Sequence, residues 1–248
     1  RLGSLWHVQL AKTTGVTGFS DSMSPGDISL LSQSNDPAFR VSFDSPEHVP
    51  APHLRYWRGL VLDDFDGRKW KRVNNIKTNV FRRSGFQRKR PTLEYDSASI
   101  QRYQVLLEPH QQLWLFTLMV PVNVTSSLMD VDIVDDYLAM SSRPIAGRTE
   151  YQVVSYRRYL AAPDKISNTL RNQNLFLPEG ENPRAKALVE SWRAQGMNDE
   201  AIIAQALATY RDNFSYTLQP PVLGRNSVDQ FLFETRQGFC EHFASSFT

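Results

Sequence analysis

The chain has 248 residues, of which 41% are apolar and 22% are charged, and its formal net charge is +2. This composition is typical of folded globular proteins and excludes disordered and fibrous classes. No stretch reaches the roughly eighteen consecutive apolar residues that a membrane-spanning helix needs. The length allows one large domain or two moderate ones, and we favour two. Because the chain begins at Arg1 without a methionine and ends at Thr248 inside an apolar pattern, we expect it to be a piece of a longer protein.

Short apolar runs and alternating patterns fill the chain to about residue 160 and predict β-strands. They lie at Phe39 to Phe43, Leu60 to Leu62, Tyr103 to Leu107, Leu113 to Val120, and Tyr151 to Val153. Turn residues at 24–27 and 63–67 separate strand-like runs, and the second cluster predicts a hairpin. Since no helical periodicity intervenes, we predict an all-β domain over residues 1–160, built as an antiparallel sandwich or barrel.

The pattern changes after residue 161 to the spacing typical of helices. Asn182 and Pro183 have the form of an N-cap and a first helical residue, and Gly196 is placed to end that helix. Asn198 or Asp199 can cap a second helix that follows at once.

A short extended segment over residues 214–217 and one further helix complete the predicted elements. Residues 227–230 read Ser-Val-Asp-Gln, which fits the spacing of a capping box ahead of Phe231 and Leu232. We therefore predict that residues 161–248 form a helical domain, and the predicted fold class is α+β.

Cys240 is the only cysteine of the chain, so it cannot form an internal disulfide bond. A lone cysteine in an apolar helix is most often a small buried residue. Here Gly238 permits a tight turn, and Phe243 and Phe247, one turn apart, predict a helix with Cys240 in its first turn. Unpaired amides and the positive end of the helix dipole favour a thiolate there. The same amides can stabilise an oxyanion on a substrate.

A thiol nucleophile needs a base, usually a histidine, and a third group that orients the base. His242 lies two residues beyond the cysteine, about 200° around a helix. We therefore expect its imidazole to point away from the sulfur and to serve in packing. The other histidines lie in the predicted β domain, where we expect surface or turn positions: His7, His48, His53 and His110.

The residues around the cysteine resemble the nucleophile segment of the bacterial transglutaminase-like superfamily. They are residues 229–233, Asp-Gln-Phe-Leu-Phe, and residues 238–244, Gly-Phe-Cys-Glu-His-Phe-Ala. The two predicted helices and the extended segment before them resemble the lead-in to that segment. Residues 17–28 and 56–59 are similar to the N-terminal part of the periplasmic region of membrane-anchored TgpA-type proteins.

This resemblance implies a papain-like core with a cysteine, histidine and aspartate triad in that chain order. Only Cys240 can be carried over, because the family's histidine and aspartate lie tens of residues downstream, beyond Thr248. The expected architecture is an N-terminal antiparallel β-sandwich or barrel followed by the first, helical part of a transglutaminase-like core. We expect such a piece to be inactive by itself.

The activity that the resemblance implies is attack of the thiol on a glutamine carboxamide or a peptide carbonyl, giving a thioester that an amine or water resolves. The full protein would be a protein-glutamine gamma-glutamyltransferase or a cysteine hydrolase with peptide or protein substrates. The alternative is a module on the same fold that binds envelope proteins or peptides without chemistry. The family also implies an inner-membrane protein of a Gram-negative bacterium, with this region in the periplasm and no nucleic acid as partner.

A basic run at residues 82–90 carries five positive charges. The small net charge and the turn residues favour a solvated loop. In the periplasm, contact with an anionic membrane or envelope polymer is the open alternative. Four tryptophans could line a substrate groove, although aromatic residues at such spacings usually belong to cores: Trp57, Trp70, Trp114 and Trp192.

Neither a metal nor a cofactor is predicted. Cys240 and His242 are awkwardly spaced on a helix for a shared metal. Asp63, Asp64 and Asp66 fit a calcium loop only faintly, because the later loop positions are missing, and a hairpin turn explains them better. The sequence has no phosphate-cradling glycine loop and no dinucleotide fingerprint.

Overall fold

The computed structural model describes residues 22–26, 36–72, 92–134, 137–161 and 168–248. The strands are β1 Ser22–Met23, β2 Phe39–Phe43, β3 Trp57–Arg58, β4 Asp64–Phe65, β5 Trp70–Lys71, β6 Leu93–Tyr95, β7 Ile100–Leu107, β8 Trp114–Leu115, β9 Thr117–Leu118, β10 Val120–Thr125, β11 Val131–Val134, β12 Leu138–Ser141, β13 Thr149–Tyr156, β14 Tyr159–Ala161, β15 Ser215–Tyr216 and β16 Gln237–Gly238. The helices are α1 Asn168–Asn174, α2 Pro183–Ala194, α3 Asp199–Asn213, α4 Ser227–Gln230 and α5 Cys240–Phe247, with a π-helical turn at Phe231–Thr235. The predicted α+β class is confirmed.

Two antiparallel sheets form the main β structure. One has four strands in the order β10-β13-β7-β2, and the other has three in the order β11-β12-β8. Alternate residues of β7, Tyr103, Val105 and Leu107, are buried together with residues from both sheets, such as Leu115 and Val153. The two sheets therefore pack face to face over a shared core, as a sandwich does.

Two buried tyrosines tie the segment that contains β8 and β9 to the larger sheet. The Tyr103 hydroxyl accepts a hydrogen bond from the Leu118 amide at 2.6 Å and lies 3.0 Å from the Ser155 hydroxyl. The Tyr151 hydroxyl donates to the Phe116 carbonyl at 2.7 Å. Burial raises the pKa of both tyrosines, because the phenolate form would be poorly solvated there.

Most of the predicted strands are present, and one is not. Residues 60–62 lie between β3 and β4 and pair with no described strand. Leu60 and Val61 instead pack against the core from an irregular segment. Their apolar pattern reflects burial without strand pairing. The predicted hairpin is confirmed, because β4 pairs antiparallel with β5.

A small three-stranded antiparallel sheet, in the order β1-β5-β4, lies against the helical part of the chain. Two of its turns approach that part so closely that only glycine fits. A β-carbon added at Gly26 would lie 2.6 Å from Cβ of Leu223, and one added at Gly67 would lie 2.5 Å from Cγ of Glu181. Both glycines also have positive φ angles, +93° and +102°, which disfavour any other residue.

The helical part begins with α1, which the sequence patterns do not predict. Helix α2 ends before Gly196, whose φ of +85° is the expected left-handed termination. The Asn198 side chain caps α3 by accepting a hydrogen bond from the Ala201 amide at 2.9 Å, which confirms one of the two predicted caps. The predicted extended segment is β15, which pairs in parallel with β16.

Candidate active site

Cys240 is the first residue of α5, and its thiol is exposed and free. The residue before it, Phe239, is fully buried and has extended backbone angles, φ −114° and ψ −172°. The side chain of Phe239, at the N-cap position, makes no cap hydrogen bond. The chain therefore turns from a buried strand end into a helix whose first residue carries the thiol into solvent.

His242 occupies the opposite side of the helix from the thiol, as predicted. It is buried, 1% exposed, with its ring centroid 4.7 Å from that of Phe239 and 5.5 Å from that of Phe231. Neither ring nitrogen has a hydrogen-bond partner among the described residues. Burial lowers the pKa of His242, since the aromatic surroundings disfavour the imidazolium. The ring is thus a packing element beneath the nucleophile position.

Gly238 serves a different purpose from the predicted tight turn. It lies in β16, and its φ is outside the left-handed region. A β-carbon there would lie 2.6 Å from Cγ of His242, 2.7 Å from its Cβ and 3.0 Å from Cε2 of Phe231. Glycine is required because the histidine packs directly on the backbone.

Two buried polar side chains join α2 to α4 just before the nucleophile segment. The Asn182 amide oxygen accepts hydrogen bonds from the Val228 and Asp229 amides at 3.1 and 3.3 Å. In return, the Asp229 carboxylate accepts from the Arg184 and Ala185 amides at 2.9 and 2.8 Å. Each side chain therefore caps the other's helix, and the four amides at the two helix starts are satisfied.

This arrangement corrects two predicted caps. Asn182 stands at the N-cap position of α2 but has left-handed backbone angles, φ 48° and ψ 52°, and makes no cap bond to its own helix. The predicted capping box is likewise wrong, since Asn226 is the N-cap residue of α4 and the buried Ser227 hydroxyl has no partner among the described residues. Local spacing found the helix starts but could not find partners about 45 residues away.

Helix α5 is held from two sides by consecutive serines. The Ser245 hydroxyl accepts a hydrogen bond from the Trp70 indole of β5 at 2.8 Å. The Ser246 hydroxyl lies 2.8 Å from the Tyr210 hydroxyl of α3. The sequence patterns do not assign Trp70, since no local signal links it to a serine 175 residues later.

An apolar groove of about 370 Å³ runs between α2, α3 and the end of α5. Its lining includes Leu188, Trp192, Ile203, Tyr210 and Phe247. Ile203 and Phe247 are 49% and 43% exposed, so this helix face is only partly covered within the described chain. Of the other tryptophans, Trp57 and Trp114 belong to the β core.

The remaining site predictions fall in different places. His48 and His53 are exposed in short 3-10 turns, and His110 is half-buried beside Trp114. His7 and the basic run 82–90 lie outside the described residues. The Asp66 carboxylate accepts hydrogen bonds from two amides of its own hairpin turn. In the described ranges, no group of three or more His, Cys, Asp or Glu side chains is placed to hold a metal ion.

Two protein families match the chain. The TgpA N-terminal domain matches residues 1–162, and the transglutaminase-like superfamily matches residues 186–248. The chain belongs to the TgpA family of transglutaminase-like proteins. The predicted resemblance is therefore confirmed.

The chain is similar over nearly its whole length to a protein from Pseudomonas aeruginosa. A protein-glutamine gamma-glutamyltransferase of Pseudomonas aeruginosa is 36% identical over 247 residues, which cover 99% of this chain and 35% of that relative. The chain thus spans about a third of the length of this relative.

Within the described parts of the chain, no helix has the length and apolar character to cross a membrane.

Two crystal structures of the periplasmic domain of TgpA from Pseudomonas aeruginosa share the fold. One superposes with a TM-score of 0.77 and the other, bound to ethylmercury, with 0.76, each at 34% identity. They match 93% of this chain, and this chain covers 75% and 76% of theirs. The combination of a β-rich N-terminal part with the helices that lead to Cys240 is therefore a TgpA-family architecture.

Proposed function

We propose that this chain is the nucleophile-bearing part of a thiol acyltransferase that acts on glutamine side chains of proteins or peptides. Cys240 is the nucleophile. The proposal is supported by one observation above all: the thiol is exposed at the first residue of α5, inside the region that matches the transglutaminase-like superfamily. The name of the Pseudomonas relative, a protein-glutamine gamma-glutamyltransferase, supports the same reaction class.

The start of α5 suits both halves of an acyl transfer. Sulfur attacks the carboxamide carbon, a C–S bond forms, and the C–N bond breaks as ammonia leaves with the proton that a base has taken from the thiol. The negative charge on the carbonyl oxygen develops next to the amides and positive dipole end of the helix. An amine then displaces the thiol and completes transglutamination, whereas water gives deamidation.

The base is not one of the described histidines. His242 is buried on the side of the helix away from the thiol, His48 and His53 lie in exposed turns of the β part, and His110 stacks on Trp114 in the β core. The family resemblance implies a histidine and an aspartate that follow the cysteine in chain order. We therefore expect turnover only from a protein that carries both of those residues as well as this chain.

Alkylation of the chain's single cysteine tests the nucleophile assignment. We expect iodoacetamide to label Cys240 in the folded chain several-fold faster near neutral pH than in the urea-unfolded chain, because only the folded chain has a helix start around the sulfur. Equal rates in the two states would contradict an activated thiol. In the full-length protein, Cys240→Ala should abolish turnover while the melting temperature stays close to that of the wild type.

Transfer and hydrolysis are separated by one competition assay in the full-length protein. A glutamine peptide is incubated with and without a primary amine, and both ammonia release and amine incorporation are measured. Incorporation supports a transferase, and ammonia release with no incorporation supports a hydrolase. Saturable peptide binding without either product would favour the non-catalytic alternative.

We further propose that this region lies in the periplasm of a protein anchored in the inner membrane. The support is the likeness to periplasmic domains of TgpA. Topology reporters fused within the full-length protein would test the assignment: periplasmic alkaline phosphatase activity at this region is expected, and cytoplasmic reporter activity would contradict it.

A further inference from the structure

The small sheet of β1, β5 and β4 contacts the helical part of the chain through its turns at Gly26 and Gly67 and also through Trp70. Beside the two close glycine turns, the Trp70 indole reaches α5 and donates to the Ser245 hydroxyl at 2.8 Å. Ser245 is 6% exposed, so water has little access to compete for this hydrogen bond. The bond joins the β-rich part of the chain directly to the nucleophile helix.

Trp70 is held firmly before it reaches the helix. Its ring stacks on that of Phe65, with centroids 4.6 Å apart and an interplanar angle of 21°. Its backbone pairs with Met23 on one side and with Phe65 on the other. The turn of the same hairpin is also fixed, because the Asn182 side chain donates to the Gly67 carbonyl at 2.8 Å. These contacts fix the position from which the indole N–H donates to Ser245.

Helix α5 needs such support from outside itself. It has eight residues, and a helix of that length is marginal in water without tertiary contacts. The bond from Ser246 to Tyr210 holds it toward α3, and the bond from Ser245 holds it toward the small sheet. Together they restrict both rotation and tilt of the helix that begins at Cys240.

We propose that Trp70 is a positioning residue for the nucleophile, acting through Ser245 to hold the start of α5 in its reactive orientation. The inference rests on the proposed role of Cys240. The physical link is the geometry of the first helical turn, since the amides stabilise a thiolate only while they surround the sulfur. A small displacement of the helix weakens that stabilisation before it unfolds the chain.

The test measures the rate of Cys240 alkylation at neutral pH in the folded 248-residue chain, below its melting temperature. Trp70→Phe keeps the stacked ring and removes the N–H, and Ser245→Ala removes the acceptor. Ser245→Thr restores a hydroxyl. Trp114→Phe is the matched control, because the Trp114 indole N–H is buried without a hydrogen-bond partner among the described residues.

We expect Trp70→Phe and Ser245→Ala each to slow Cys240 alkylation at neutral pH about threefold, because the start of α5 is no longer held in its reactive orientation. Because both remove one hydrogen bond, the double variant should behave like either single one. Ser245→Thr should return the alkylation rate toward that of the wild type. Trp114→Phe should leave the alkylation rate unchanged.

The outcomes separate this inference from the proposed function. If the folded wild-type chain is alkylated faster than the unfolded chain and Trp70→Phe changes only the melting temperature, the positioning role is wrong and the nucleophile stands. Additive effects of the two single variants would also overturn it. If the folded and unfolded wild-type chains are alkylated at equal rates, the activated nucleophile itself is wrong, and so is the positioning role.

Discussion

Replacing Gly238 by alanine perturbs the packing directly beneath the nucleophile. The new methyl group would lie 2.6 and 2.7 Å from Cγ and Cβ of His242, which is buried, and 3.0 Å from a ring carbon of Phe231. These are the base of the imidazole and a ring edge, not the flexible end of a side chain, so α5 or β16 has to move. Overpacking of a tight core costs about 1–3 kcal/mol. For a chain of this size we expect the melting temperature to fall by roughly 3–10 °C.

Thermal unfolding followed by circular dichroism measures this effect, with Gly147→Ala as the matched control. A β-carbon at Gly147 has open space around it and the backbone φ is not left-handed, so its melting temperature should change by no more than about 2 °C. His242→Ala removes the nearer of the two short histidine contacts, and the cost of Gly238→Ala should shrink in that background. Equal melting temperatures for the two glycine variants would refute the packing argument.

Three further predictions concern the supports of the site and the β core. Asp229→Asn keeps the shape of the side chain, but only one of its two terminal atoms can accept a hydrogen bond. The free energy of unfolding measured in urea should therefore fall by about 1–2 kcal/mol, and an unchanged free energy would contradict the reciprocal caps. Tyr103→Phe leaves the buried Leu118 amide unpaired and should lower the free energy of unfolding by about 1–3 kcal/mol. Its control, Tyr137→Phe, removes a hydroxyl bonded near the surface and should lower it by less than about 0.5 kcal/mol. Similar losses in the two variants would refute the role of the Tyr103 bond. Burial lowers the pKa of His242, so the unfolded chain binds a proton on this residue more readily than the folded chain does. His242 therefore does not reduce the free energy of unfolding above about pH 6.5, and it reduces it increasingly as the pH falls below that value. The melting temperature of His242→Phe should therefore fall less than that of the wild type between about pH 7.5 and pH 5.5. Part of the remaining fall is due to His110, whose pKa burial also lowers. Equal falls in the two proteins would contradict this effect of His242 on stability.

Local patterns in the sequence predicted much of the secondary structure, because they report which face of an element is buried. The alternation of Tyr103, Val105 and Leu107 marks the inner face of β7 correctly. The same signal failed at residues 60–62, since apolar residues can be buried without strand pairing. The predicted division of the chain near residue 160 stays a prediction, and the small sheet contacts the helical part across that division.

The position of Cys240 at a helix start, and the placement of His242 on the opposite face, follow from sequence spacing alone, because helical periodicity is a property of neighbouring residues. The sequence also carried the family resemblance. Only the tertiary structure decided what supports the nucleophile: Trp70 bound to Ser245, and the exchange of caps between Asn182 and Asp229. These bonds join residues about 45 to 175 positions apart. No local period encodes such partners, since they are chosen by how the folded segments come to lie against one another.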